Sequence, residues 1–517
     1  MSMVSETYSG MVRGIEGVMI TIQADISEGL PVFNMVGLLS GEVREAKERV
    51  RTAFKNIGLK LPPKRISVNL APADIKKRGT GFDLGIAVAL FMAMGLLPHE
   101  GISEYFFLGE LALDGTISRV RGTLPILYEA VKAGFKRFVI PEENIMEAEL
   151  LSDIEVYSFR NLSGLYTFFS GDMSAGEKDE EPRIFIPDGS VERKTVKGDM
   201  PDFSRIRGQQ LAKRALMIAA AGFHHIFLEG PPGVGKSMLA RATAGILPGM
   251  SREEIIETTM VYSVKGLLDG DRHWMGARPY RNPGHAVTRI GLFGGGADPK
   301  PGEISLAHHG VLFLDEFTEY RKDILEMLRL PLEDHRITIV RSERTITYPA
   351  DFLLIAASNP CPCGYYPDRE RCRCSRSQIL SFQSRLSGPI LDRMDLFVRC
   401  DPMDYKTFTG EGDSVPSSRI RERVMEAWER QKSRFDGRRA YFNGRMDSQD
   451  IGQYCRLNGE AERVLERAFD RYRLTGRSCS RILKVARTIA DLEGSDSITP
   501  DHLTEAILFR HSAAEGR

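Results

Sequence analysis

The chain has 517 residues, 42% of them hydrophobic and 27% charged, with 70 basic residues against 70 acidic ones. That length exceeds a single compact core and calls for two to four domains. The balanced charge excludes an overall polycation, so any nucleic-acid site must be a local patch.

The opening stretch MSMVSETYSGMVRGIEG lacks the charged-then-apolar pattern of a signal peptide, and no run approaches the roughly 20 apolar residues of a membrane span. The chain therefore reads as cytoplasmic, with no membrane partner. GVMITIQADI predicts a strand, and SGEVREAKERVRTAFKNIG a helix with Val43, Ala46, Val50 and Phe54 at helical spacing. RISVNLAP predicts another strand, FDLGIAVALFMAMGLL a buried helix, FFLGELALDG a segment ending in a turn, and LPILYEAVKAGF then KRFVIP a helix and a strand. Residues 1–170 thus read as an α/β domain with no internal repeat.

Residues 171–200 are rich in charge, Gly and Pro and read as a linker. A second α/β region covers 201–405. Residues 406–517 read as a small helical bundle, with helices in SSRIRERVMEAWERQKSRF, EAERVLERAFDRYRL, SCSRILKVARTIADLE and TPDHLTEAILFR. The last opens on a Thr499 N-cap with Pro500 at the first helical position. The fold class is α/β multidomain.

HHIFLEGPPGVGKSMLARATAG carries the strongest chemical signal. An apolar strand runs into Gly230, Pro231, Pro232, Gly233, Val234, Gly235, Lys236, Ser237 and Met238, and then into a helix. The glycines let successive backbone N–H groups wrap a phosphate, and the helix N-terminus adds partial positive charge. Lys236 reaches the outer phosphates, and the Ser237 hydroxyl ligates magnesium. Downstream, GVLFLDEF predicts a buried strand ending in Asp315, placed to hold magnesium, and Glu316, placed to activate the attacking water. A third strand, DFLLIAASNP, ends in Asn359, whose side chain can touch the γ-phosphate and that water. Together the three strand ends read as a phosphate-hydrolysing site that works by positioning and charge stabilisation.

Two excursions leave this core. HRITIVRSERTITYPADF alternates as a hairpin does, with RSER at its tip, and Arg341 and Arg344 suit phosphate-backbone contact. NPCPCGYYPDRERCRCS is C-x-C, eight residues, C-x-C. Cys361, Cys363, Cys372 and Cys374 make a ligand set for one closed, structural zinc. A redox cluster and four reduced thiols holding nothing are the competing readings. A metal clip would order this loop and display Arg369, Arg371, Arg373 and Arg376, with Asp368 and Glu370 as local counter-charges.

RIRGQQLAKRALMIAAAGFHHIFLEGPPGVGKSMLA, RPYRNPGHAVTRIGLFGGGADPKPGEISLAHHGVLFLDE, AASNPCPCGYY and SRLSGPILDRMDL together resemble an AAA+ ATPase of the magnesium-chelatase-like group, the YifB/ComM family. The resemblance covers essentially the whole chain. One departure is that Gly284 stands where the family usually has the first of two histidines, leaving His285 alone. The resemblance implies ATP and Mg2+ as substrate and cofactor. It makes Asn359 the sensor 1 residue, Arg393 an arginine finger reaching a neighbouring subunit's ATP, and Arg481 the sensor 2 arginine of a helical lid. It also implies that Ile206, Arg207, Gly208 and Gln209 contact adenine. A rigid, permanently charged guanidinium suits both arginine roles. Arg385 is the alternative finger and Arg487 the alternative sensor 2, and an internal ion pair of Arg393 with Asp392 or Asp395 is the bland alternative. A finger acting in trans implies a ring, a homo-hexamer as in related proteins.

Residues 1–170 resemble the Lon-protease-like (ChlI-type) domain of this family. Asp83 stands about where Lon proteases carry the nucleophilic serine, and the partner-lysine position is apolar, near Ile126, so a Ser–Lys mechanism lacks both members. The function the resemblance implies is a ring-forming motor coupling ATP hydrolysis to translocation or branch migration of single-stranded or branched DNA. An ATP-driven, chaperone-like protein remodeller is the alternative. Metal insertion into a porphyrin is set aside, because the chain carries a Lon-like domain and no metal-handling domain.

Overall fold

The computed structural model describes residues 4–171, 181–189, 200–268, 274–341, 344–402, 405, 415–435 and 442–511. It divides into two units, Met1–Glu192 with Arg252–Met275, and Arg193–Ser251 with Gly276–Arg517. The chain is mixed α/β, and no helix among the described residues is long and apolar enough to cross a membrane.

In the first unit an eight-stranded sheet is built around the hairpin Ser5–Arg13 and Glu16–Ser27, paired antiparallel from Ser5↔Ala24 to Arg13↔Glu16. Period-two alternation buries Ile20, Ile22 and Ala24 along one face. The helix Asp83–Ala93 lies on that face and is buried nearly all round, which explains its continuous apolar sequence. Gly85 permits the close approach, since a Cβ there would stand 2.8 Å from Ile22 Cδ1. The helix Gly41–Asn56 buries Val43, Ala46, Val50 and Phe54, the stripe its periodicity predicts.

Two stretches behave differently from their sequence reading. Most of 171–200 lies outside the described residues, but Arg183–Phe185, read as linker, forms an edge strand antiparallel to Glu155–Ser158. Its three residues pair Arg183↔Ser158, Ile184↔Tyr157 and Phe185↔Val156. The stretch 252–275, read as part of the central domain, packs within the first unit. Its helix Arg252–Lys265 is held there by Gly122 N donating to Ser263 O at 3.2 Å and by Trp274 Nε1 donating to Glu149 Oε2 at 3.0 Å. The Ser263 hydroxyl also donates to Glu147, whose carboxyl burial pushes above its ordinary value despite the Ser263, Asn144 and Leu124 donors.

The second unit carries a five-stranded parallel sheet in the order Tyr280–Arg281, Val311–Leu314, Leu353–Ser358, Ile226–Glu229, Leu396–Arg399. The middle strands are fully buried apolar runs, as strands covered on both faces must be. Register sets Glu229 opposite Ser358, and Leu314 opposite Ala356, so the loops starting at Gly230, Asp315 and Asn359 leave neighbouring strands at the same edge. That carboxyl edge is where open α/β sheets bind ligands. The helices Ser417–Arg434, Gly459–Tyr472, Gly476–Leu492 and Pro500–His511 follow, and their apolar faces share a core with the sheet through Trp428, Ile482, Val485, Ile489 and Leu503. Thr499 Oγ1 accepts from His502 N at 3.4 Å, the expected N-cap.

Candidate active site

Lys236 opens the helix Lys236–Ile246 directly after Gly235, whose φ of +90° turns the chain into it. Lys236 is 8% exposed, and its ammonium donates to Gly230 O at 2.6 Å, Pro231 O at 3.0 Å and Asn359 Oδ1 at 3.1 Å. Burial lowers the Lys236 pKa, against the pull of Cys400, Asp315, Glu229 and Glu316. Ser237 Oγ donates to Asp315 Oδ2 at 2.8 Å, so a hydroxyl and a carboxylate meet at the start of the same helix. Such hard oxygen donors suit a magnesium ion that also carries phosphate oxygens.

Glu316 follows in a left-handed conformation, φ +50°, which a non-glycine residue adopts at a cost and which is common at functional sites. Its Oε2 lies 2.8 Å from His285 Nδ1. The segment before His285 is anchored by the Tyr320 hydroxyl donating to Pro283 O at 2.7 Å. The His285 contact was not read from the sequence, and the only signal was that His285 follows RNPG in the long insert. A further contact between the Thr318 and Ser358 hydroxyls at 3.0 Å ties the acidic loop to the strand that delivers Asn359.

Gln209 borders the phosphate loop, with Nε2 donating to Asp401 O at 2.7 Å and to Val234 O at 3.5 Å. Ile206 is buried, and its carbonyl accepts from the Lys213 ammonium. Met238 is exposed on the helix that follows. Direct bonds thus join Lys236 to Asn359 and Ser237 to Asp315, Glu316 follows Asp315 in the chain with its side chain on His285, and Gln209 lies alongside through Val234.

Arg393 and Arg481 are bonded to other partners. Arg393 is 5% exposed; its Nη2 contacts Glu333 Oε1 at 2.6 Å, Nη1 donates to Pro389 O at 2.6 Å and Nε donates to Arg329 O at 3.3 Å. Its ion partner is therefore Glu333 and not Asp392 or Asp395, because those two face Arg510 and Arg481. Arg385 is half-exposed, 2.9 Å from Glu319 and over the Phe382 ring. Arg487 is buried against Asp491 at 3.1 Å.

Arg481 donates to Asp395 Oδ1, and to the Arg393 carbonyl at 3.1 Å. Asp395 also accepts from His225 N at 3.0 Å. Burial works against the Asp395 charge, but Arg481, His224 and His225 hold the carboxyl well below the usual carboxylate range. Asp395→Asn is expected to cost about 3 kcal/mol at pH 7, as for a broken buried pair. Because the folded value is depressed, that gap is complete above the unfolded carboxylate pKa of about 3.9 and closes as pH falls below it. Urea unfolding of both proteins at pH 7, 5 and 3 measures it; a gap independent of pH would assign the loss to packing instead.

The hairpin pairs Arg336–Arg341 with Arg344–Pro349 in antiparallel register, Ile337↔Tyr348 and Ile339↔Ile346. The side chains of Arg341 and Arg344 lie outside the described residues. The four cysteine sulfurs do converge, with Cys361, Cys363, Cys372 and Cys374 Sγ all within 4.8 Å of one another. Asp83, in the first unit, is buried and engaged by Arg49 at 2.6 and 3.0 Å, and Ile126 is buried.

Known proteins bear on this arrangement. Residues 202–408 match the family described as "Magnesium chelatase, subunit ChlI", residues 22–144 "Subunit ChlI of Mg-chelatase", and residues 414–510 "Magnesium chelatase, subunit ChlI C-terminal". The chain is 40% identical over 507 residues to "Competence protein ComM" of Haemophilus influenzae, covering 97% of this chain and 96% of that one. It is 40% identical over 500 residues to YifB of Escherichia coli, covering 96% and 95%. A shorter similarity, 28% over 201 residues and 33% of this chain, joins it to "Lon protease 2" of Bacillus subtilis, of which it covers 35%.

Proposed function

The chain belongs to the YifB/ComM family of magnesium-chelatase-like AAA+ proteins, and from that premise we propose that it is an ATPase that works as a ring and acts on DNA. The observation that carries the ATPase reading is the pair of bonds Lys236–Asn359 and Ser237–Asp315, which brings three separate strand ends to one point. In this reading the backbone N–H groups of Gly233 to Ser237 cradle the phosphates of ATP, and Lys236 exchanges Asn359 and its carbonyl partners for phosphate oxygens. Ser237 and Asp315 hold magnesium, which when bound neutralises charge on the outer phosphates. Glu316, positioned by His285, accepts the proton of the attacking water, and Asn359 orients that water. Arg481 supplies the sensor of the lid and Arg393 the finger offered to a neighbouring protomer, with a homo-hexamer as the assembly. Residues 406–517 form the lid, and 201–405, apart from the stretch 252–275 that packs with the first unit, the ATPase core.

Residues 1–170 form a Lon-protease-like domain without peptidase chemistry in this reading. The Asp83 carboxylate is committed to Arg49, and Ile126 offers no amine. The cysteine cluster holds structural zinc. DNA is the favoured substrate because a relative is titled a competence protein, competence being the capacity to take up DNA, and because the hairpin carries Arg341 and Arg344 at its turn.

The steady-state ATPase rate, with and without single-stranded and four-way-junction DNA at two salt concentrations, tests this. Stimulation by DNA that fades with salt is the expected result, since phosphate contacts release counterions. Hydrolysis without stimulation would overturn the DNA reading in favour of a protein-remodelling motor.

A further inference from the structure

The four-cysteine cluster lies beside the candidate nucleotide site, next to Gly364. Cys361–Cys363 and Cys361–Cys372 Sγ distances are 3.4 and 3.8 Å, and Cys363–Cys372 is 3.6 Å. Four sulfurs about 2.3 Å from a tetrahedral zinc stand about 3.8 Å from one another, so the thiols are already near metal-binding geometry. Cys361 and Cys372 are buried, and the cluster's own core is small, with only Ile379 and Tyr366 beside the cysteines.

Between Asn359 and Ser375 the chain has no helix or strand. Its course is set by turns that close on the cysteines: Gly364 N donates to Cys361 O at 2.9 Å, Tyr366 N to Cys361 Sγ at 3.4 Å and Cys372 N to Asp368 O at 2.8 Å. Such a segment has too little apolar surface to order itself, and a metal joining its two ends would remove most of its freedom.

Gly364 sits beside Cys363 in a left-handed conformation, φ +87°. A Cβ there would stand 2.6 Å from Pro232 Cδ of the phosphate loop and 3.8 Å from Asn359 Cγ. The cysteine loop therefore lies directly on the phosphate loop, and on the residue that bonds Lys236.

We propose that the Cys361–Cys363–Cys372–Cys374 zinc centre is a structural part of the ATP site: by fixing Gly364 on Pro232 and Asn359 beside Lys236, its metal occupancy sets the affinity for ATP. This rests on the zinc reading above and adds the coupling. Coupling between sites is reciprocal, so bound nucleotide also retains the metal.

Full-length protein is assayed for zinc content, then for binding of a fluorescent, non-hydrolysable ATP analogue before and after extraction with a zinc-selective chelator. Extraction is expected to weaken nucleotide binding by about tenfold, within the usual range of coupling between sites, with recovery on adding zinc back. The nucleotide analogue is expected to slow zinc extraction. Cys374→Ser gives the same weakening, with circular dichroism confirming that the chain stays folded. Gly364→Ala, whose methyl group would displace Pro232, weakens nucleotide binding while keeping its zinc. Protein that neither contains zinc nor takes it up overturns the metal reading. Zinc-loaded and zinc-free protein that bind the analogue equally overturns the coupling alone, as does a Gly364→Ala variant with unaltered affinity.

Discussion

Glu316→Gln is expected to bind ATP within about threefold of the unaltered protein and to hydrolyse it about 10²–10⁴-fold more slowly, the usual contribution of a positioned general base. The amide is nearly isosteric with the carboxylate and keeps an oxygen facing His285, which now stands 2.8 Å from Glu316 Oε2. The phosphate contacts proposed for Lys236 and the magnesium ligands proposed for Ser237 and Asp315 would be untouched, so binding is expected to persist while proton acceptance is lost. Fluorescent-nucleotide titration and phosphate-release kinetics separate the two. A variant with normal turnover would remove Glu316 from the mechanism. A variant that also loses binding would mean that the carboxylate is needed to shape the site.

Arg393→Ala is expected to lose turnover by about 10³-fold or more, the size of effect a finger in trans supplies. In one chain its guanidinium is bound to Glu333, and to the carbonyls of Pro389 and Arg329. Reaching a neighbour's phosphate therefore means exchanging Glu333, a half-exposed acid that water can take over. The decisive experiment mixes two inactive proteins. In a ring assembled from Arg393→Ala and Glu316→Gln chains, some sites have an intact Glu316 and receive Arg393 from the next protomer. Random mixing places such sites at about a quarter of the interfaces of a cyclic assembly, so activity returns toward that fraction. No recovery, with both variants folded and assembled, would make Arg393 a structural residue held by Glu333. Recovery only with Arg385→Ala in place of Arg393→Ala would move the finger to Arg385, which is half-exposed beside Glu319.

The strand ends and the helix start that carry the candidate site were legible because their signals are local. A buried strand, a glycine-rich turn and a helix N-terminus follow one another within residues 226–246, and chain connectivity alone brings Lys236 and Ser237 to the turn. Asp315 and Asn359 were legible for a similar reason, since each follows a short apolar run that reads as a buried strand and forms one. The cysteine spacing drew attention to a candidate ligand set, but the loop between the two C-x-C pairs is long enough to hold them apart, and only the fold brings the four sulfurs within 4.8 Å of one another.

Residue order alone thus says which residues end strands, open helices and share a short loop. Which side chains face each other is settled by packing between elements far apart in the chain. Burial periodicity says that a side chain is covered, not what covers it. It could not pair Arg393 with Glu333, Arg481 with Asp395, or Glu316 with His285, since each bond joins separate elements whose approach depends on the whole packing. The helix Arg252–Lys265 makes the same point, as it is buried on more than one face and its sequence gives no stripe to say which unit takes it. Gly364 is the sharpest case. A glycine among turn residues reads as a turn, and only the fold sets it against Pro232, where the absence of a side chain is what lets two loops meet.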